Sequence, residues 1–76
     1  MSIFGKSRNI TITHYGREKL TQLGNIDSVM ADGLYDLASN SPTSITEMAR
    51  RKNWSADKTD RICQALVNRG VAEWTR

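Results

Sequence analysis

Apolar positions recur along this chain at two different periods, and the switch between them divides it into elements. From Asn9, the residues Ile10 and Ile12 alternate with Thr11 and Thr13. A period of two with β-branched side chains suits a half-buried pleated surface, so a strand is predicted over 9–13. Leu20 and Leu23 stand three apart with Gly24 just beyond, which predicts a short helix over 14–23 stopped by glycine. The longest periodic run comes next: Ile26, Val29, Met30, Gly33, Leu34, Leu37 and Ala38 fall three and four apart, and Asp32 and Asp36 lie on another side. This is one face of a buried helix, with Asp27 placed to cap it. A glycine inside such a stripe costs about 1 kcal/mol relative to alanine, so Gly33 predicts the close approach of another helix.

Asn40-Ser41-Pro42-Thr43 interrupts the run and reads as a loop, since Pro42 disfavours helical geometry at Ser41. Ser44-Ile45-Thr46-Glu47 then matches a capping box, in which the serine oxygen takes a backbone N–H and the glutamate reaches back to the cap. Ile45, Met48 and Ala49 give this helix one apolar side, and Arg50, Arg51 and Lys52 end it with charge that suits the negative end of the helix dipole. Asn53-Trp54-Ser55 makes a tight turn, because Asn tolerates the left-handed conformation and Ser caps the next helix. That helix is predicted over 56–69, with Thr59, Ile62, Cys63 and Leu66 facing inward and Gly70 as its stop. Val71 to Trp74 alternates weakly and reads as a short strand, the natural partner of the first. Residues 1–8 lack periodicity and carry Lys6 and Arg8, so a flexible basic arm is expected before a single domain over 9–76.

Composition narrows the function classes. A chain of 76 residues, 38% hydrophobic, makes one small domain that buries only about 60 to 65% of its unfolded surface, too little for two domains or a large substrate cavity. Nowhere do about 18 apolar residues follow one another, and the opening residues lack the apolar run of a secretory signal, so neither a membrane span nor export is expected. Cys63 is the single cysteine and cannot form an internal disulfide, which points to a cytoplasmic setting. With one cysteine and one histidine, His14, structural zinc is not expected, since it takes four such ligands. Cys63 on the apolar stripe reads as core filling. Trp54 and Trp74 flank helices and read as core anchors, while the Asp32 and Asp36 pair reads as a solvated acidic face. No glycine-rich phosphate cradle and no set of nucleophile, base and orienting group is visible, so no enzyme activity, cofactor or small-molecule substrate is expected.

The net charge of +3 conceals a pattern: residues 1–26 carry +3, residues 27–49 carry −4 and residues 50–76 carry +4. Local fields steer association more than totals do, so a polyanion would meet the last block first. That block holds two short helices joined by a tight turn, a helix-turn-helix, whose second helix can lie in a DNA major groove. At 100° per residue its inward stripe leaves Asp57, Arg61, Gln64 and Asn68 on the opposite side. Arg reads guanine and Gln or Asn reads adenine by paired hydrogen bonds.

Here the chain resembles the winged-helix family of DNA-binding domains. The resemblance is carried by Ser44-Ile45-Thr46-Glu47-Met48-Ala49-Arg50-Arg51, by Trp54-Ser55, by Ile62 and Leu66, and by the ending Leu66-Val67-Asn68-Arg69-Gly70-Val71-Ala72. It implies that Ala49 sits at the close helix contact, that Trp54 packs inward from the turn, and that Ser55, Ala56, Lys58, Arg61 and Gln64 face the groove. Asn53 stands where the family often has glycine. Only Thr75 and Arg76 follow Trp74, so a reduced or absent wing is expected. The segment Ile12 to Leu20 looks like the stretch that leaves the wing in many such regulators, yet here it precedes the helices. The first strand is therefore expected to pair with residues 71–74 and to replace part of the wing.

The fold class expected is mainly α with a small β-sheet: a winged-helix-like three-helix core with an N-terminal strand and short helix. The function expected is a small transcriptional regulator binding duplex DNA through residues 44–69. Arg50, Arg51, Lys52 and Lys58 would hold phosphates, Arg61, Gln64 and Asn68 would read bases, and Lys6 and Arg8 would add a phosphate contact from the arm. About five such contacts imply a log–log salt slope of about −4 to −5. The rival expectation is a protein-interaction module on the same scaffold, favoured by the carboxylates of Asp57 and Asp60 and by the modest net charge. Homodimerisation through the helix over Tyr15 to Leu23 is a third.

Overall fold

The computed structural model describes residues 8–25, with 23–25 as backbone only, and residues 28–75. Residues 1–7 of the expected arm, Lys6 among them, the Ile26 position, the Asp27 cap and Arg76 lie outside the described residues, as does the side chain of Leu23. Strand β1 (Asn9–Ile12) leads into helix α1 (His14–Lys19) and a 3-10 segment (Leu20–Asn25). Helix α2 (Ser28–Asn40), strand β2 (Thr43–Ser44), helix α3 (Ile45–Lys52), helix α4 (Ala56–Asn68) and strand β3 (Ala72–Thr75) complete the order. The fold is mainly α with a small antiparallel sheet, as the periodicity predicts.

The sheet has the order β2-β1-β3, so the first strand of the chain is central and the last is its neighbour. Ile10 pairs with Trp74 and Ile12 with Ala72, the pairing expected for the two strands. The ladder continues past β1 as Thr13 N–H donates to the Val71 carbonyl at 3.0 Å. One strand was not expected: Thr43 and Ser44, read as loop and cap, pair with Ile10 and Asn9. Two residues are too few to show a period, and their strand character comes from the neighbour they meet.

Thr13 joins sheet to helix. Its side chain accepts from Gly16 N–H at 2.9 Å as the cap of α1, and its hydroxyl donates to the Gly70 carbonyl at 2.8 Å. The helix expected over 14–23 is shorter than that. It ends at Lys19, and the 3-10 segment after it breaks helical geometry at Gln22, with φ −125° and ψ 32°. A continuous helix for pairing two copies is therefore not formed there.

The core gathers where α2, α3, α4 and the sheet meet, with Ile10, Leu34, Leu37, Met48, Cys63 and Leu66 fully buried. Gly33 sits where α2 crosses α4. A Cβ there would lie 2.9 Å from Ile62 Cγ2 and 3.3 Å from Leu66 Cδ1, which is the close helix approach that the stripe predicts. Met48 and Ala49 are the buried residues of α3, and Trp54 packs half-buried against the core from the turn.

Candidate nucleic-acid interface

The turn between α3 and α4 is built from local chemistry. Asn53 ends α3 in the left-handed conformation, at φ 59° and ψ 40°, a geometry that Asn tolerates better than most residues. Ser55 caps α4 by accepting from Lys58 N–H at 3.1 Å, and its carbonyl accepts the Thr59 hydroxyl at 2.8 Å. At the other end Arg69 closes α4 and Gly70 takes φ 78°, leading the chain into β3.

With its two ends held, the roll of α4 follows from burial. Thr59, Ile62, Cys63 and Leu66 face the core, while Asp57, Lys58, Asp60, Arg61, Gln64 and Asn68 are exposed. Among the described residues nothing covers Arg61 or Gln64. Ser55 and Ala56 are also exposed at the leading end of the helix. Arg61 Nη2 meets Asp57 Oδ2 at 2.9 Å, one turn back, with the two side chains 78% and 76% exposed.

A cationic cluster surrounds the turn. The ammonium groups of Lys52 and Lys58 lie 5.7 and 5.4 Å from the centre of the Trp54 ring, within the range where the ring quadrupole attracts a cation. Arg50 is exposed on α3.

Arg51 faces elsewhere. Its Nε donates to Asp36 Oδ1 at 3.0 Å, and its Nη2 donates to Asp36 Oδ2 at 2.7 Å and to the Thr43 hydroxyl at 2.9 Å. The hydrogen bonds to Asp36 raise the Arg51 pKa against the opposing effect of burial. Asp36, read as part of a solvated acidic face, has a side chain only 7% exposed. The Thr43 hydroxyl in turn donates to Glu47 Oε1 at 3.3 Å. Half of the expected capping box is present, since Glu47 N–H donates to Ser44 Oγ at 3.1 Å. The Glu47 side chain goes to Thr43 and not back to the cap.

A feature that periodicity does not signal lies at the far end of the sheet. The Arg8 guanidinium stacks 3.9 Å from the centre of the Trp74 ring, on the side where β1 begins and β3 ends. Among the described residues no group of three or more His, Cys, Asp and Glu gathers as a metal site. Nor is any described helix long and apolar enough to cross a membrane. The chain matches no family model, no curated protein and no solved structure.

Proposed function

We propose that this chain is a small winged-helix-like protein that binds duplex DNA through α3 and α4 and acts as a transcriptional regulator in the cytoplasm, with no enzymatic role. The observation that carries the reading is the exposed side of α4, which presents Arg61, Gln64 and Asn68, with Lys58 at its leading end and Lys52 of α3 on the same Trp54 ring. Base-reading side chains on α4 then follow phosphate-holding ones, Lys58 and, before the turn, those of α3, an order that suits a helix entering the major groove. The Ser55 hydroxyl still has its proton to donate to a phosphate, since as a cap it only accepts. The antiparallel pair of β1 and β3 takes the place of the wing strands, and Arg8 on Trp74 puts a cation at its end.

Arg51 leaves the set of phosphate contacts, because Asp36 and Thr43 occupy it. Three contacts from Arg50, Lys52 and Lys58 imply a log–log salt slope of about −3, steeper by about one for each contact the arm adds. Titration of a random-sequence duplex of about 20 bp between about 50 and 200 mM salt measures this. Replacing Arg61 and Gln64 by alanine removes sequence preference while leaving salt dependence. A flat salt response rejects the reading. It would favour the protein-interaction alternative, which draws on Asp57 and Asp60 standing exposed on the same helix.

A further inference from the structure

Asp57 and Asp60 stand exposed on the helix proposed to approach a polyanion, where each repels phosphates. Their surroundings differ. Asp57 Oδ2 lies 2.9 Å from Arg61 Nη2 in an ion pair, whereas Asp60 forms no ion pair among the described residues. Both members of the Asp57–Arg61 pair are about three-quarters exposed, so the pair adds little to folding. Its consequence lies in where it holds the guanidinium.

We propose that Asp57 is a positioning residue that sets the sequence selectivity of Arg61. The proposal rests on the reading that α4 enters duplex DNA. A guanidinium carries five N–H donors, and one on Asp57 leaves enough for the two parallel bonds that guanine O6 and N7 accept. Held by Asp57 one turn back, the Arg61 guanidinium stays on the exposed side of α4. Released, the same long side chain swings to phosphate oxygens, which carry no sequence information. The Asp57 carboxylate also penalises every complex in which Arg61 has left it for the backbone, so it acts against unspecific binding as well as for the specific one.

The test uses the full chain and a pool of randomised duplexes of about 20 bp, from which bound molecules are selected and sequenced. Affinities for a selected duplex and a scrambled one are then measured for the wild type, Asp57→Asn, Asp57→Glu and Asp60→Asn, with thermal melting to show that each is folded. The wild type enriches a guanine position that Arg61→Ala loses. Asp57→Asn binds the scrambled duplex several-fold more tightly, and its ratio of selected to scrambled affinity falls about tenfold. Asp57→Glu, which can still reach Arg61, keeps the ratio. Asp60→Asn tightens both duplexes alike and also keeps it. A wild-type ratio in Asp57→Asn overturns the role of Asp57, as does an equal fall in Asp60→Asn, because either result reduces the effect to general charge. A wild type that binds no duplex, or enriches no position, sinks the DNA reading itself and the role of Asp57 with it.

Discussion

The Arg51 guanidinium grips the Asp36 carboxylate with two parallel hydrogen bonds, Nε to Oδ1 at 3.0 Å and Nη2 to Oδ2 at 2.7 Å, and so ties α3 to α2. Removing the cation strands an almost buried carboxylate. Arg51→Ala is expected to lower the unfolding free energy by about 1 to 3 kcal/mol in a denaturant titration. Arg51→Lys recovers only part of that, since a point charge cannot make the paired contact. Arg50→Ala, one residue earlier and exposed, changes stability by less than about 0.5 kcal/mol and instead flattens the salt slope of DNA binding by about one. Equal stability losses at the two positions would show that Arg51 is no more structural than its neighbour.

Gly16 is the tightest of the described glycines. A Cβ at this position would run into the Val71 carbonyl and lie 2.8 Å from Ile12 Cγ1. That carbonyl already accepts from Thr13 N–H, so it is backbone held by the sheet and has nowhere to go. Gly16→Ala is therefore expected to destabilise by about 3 kcal/mol or more despite the higher helix propensity of alanine. Thermal melting checks it, and a variant as stable as the wild type would mean that α1 can lift away from β3 at no cost.

These two sites show where reading the sequence runs out. Thr59, Ile62, Cys63 and Leu66 lie in one periodic stripe, and that stripe alone predicts the roll of α4 and the exposure of Arg61, Gln64 and Asn68. Gly33 announced a close approach because it interrupts a row of large apolar residues. The partner of Gly16 is Val71, far along the chain, and no local pattern links them. Arg50, Arg51 and Lys52 read alike as a basic helix end, and only the packing of α3 on α2 singles out the middle one. The β1–β3 pairing was legible from two alternating segments, whereas β2 was not, because a two-residue strand exists only through its neighbour.

Lys52 and Lys58 reach Trp54 from the two helices that flank it, and the ring restrains both ammonium groups near the turn. If they hold phosphates, each works as a point charge and reads no base. Lys52→Ala and Lys58→Ala should each reduce the salt slope by about one, the double variant by about two, with the order of preference among duplexes unchanged. Altered preference in either single variant would move that lysine from the backbone to the base edges.

Cys63 offers a pH-dependent check on the core. Burial first, and then the charges of Asp60 and Asp36, push its thiol from an ordinary 9.0 up to about 12, and its Sγ lies 3.8 Å from Met48 Sδ inside the core. The folded protein thus keeps a proton that the unfolded chain releases. The associated stability is whole below pH 9 and is lost as pH rises through the folded value near 12, with a slope approaching about 1.4 kcal/mol per pH unit inside that window. Lysines and tyrosines titrate there too, so the quantity to measure is the difference in unfolding free energy between the wild type and Cys63→Ala, tracked from pH 8 upward. That difference should shift steadily in favour of the alanine variant above about pH 9. At about pH 8 the wild-type thiol should resist a water-soluble disulfide reagent until denaturant is added. A pH-independent difference, or rapid labelling of the folded chain, would place Cys63 in contact with water and contradict the packing of α4 on α3.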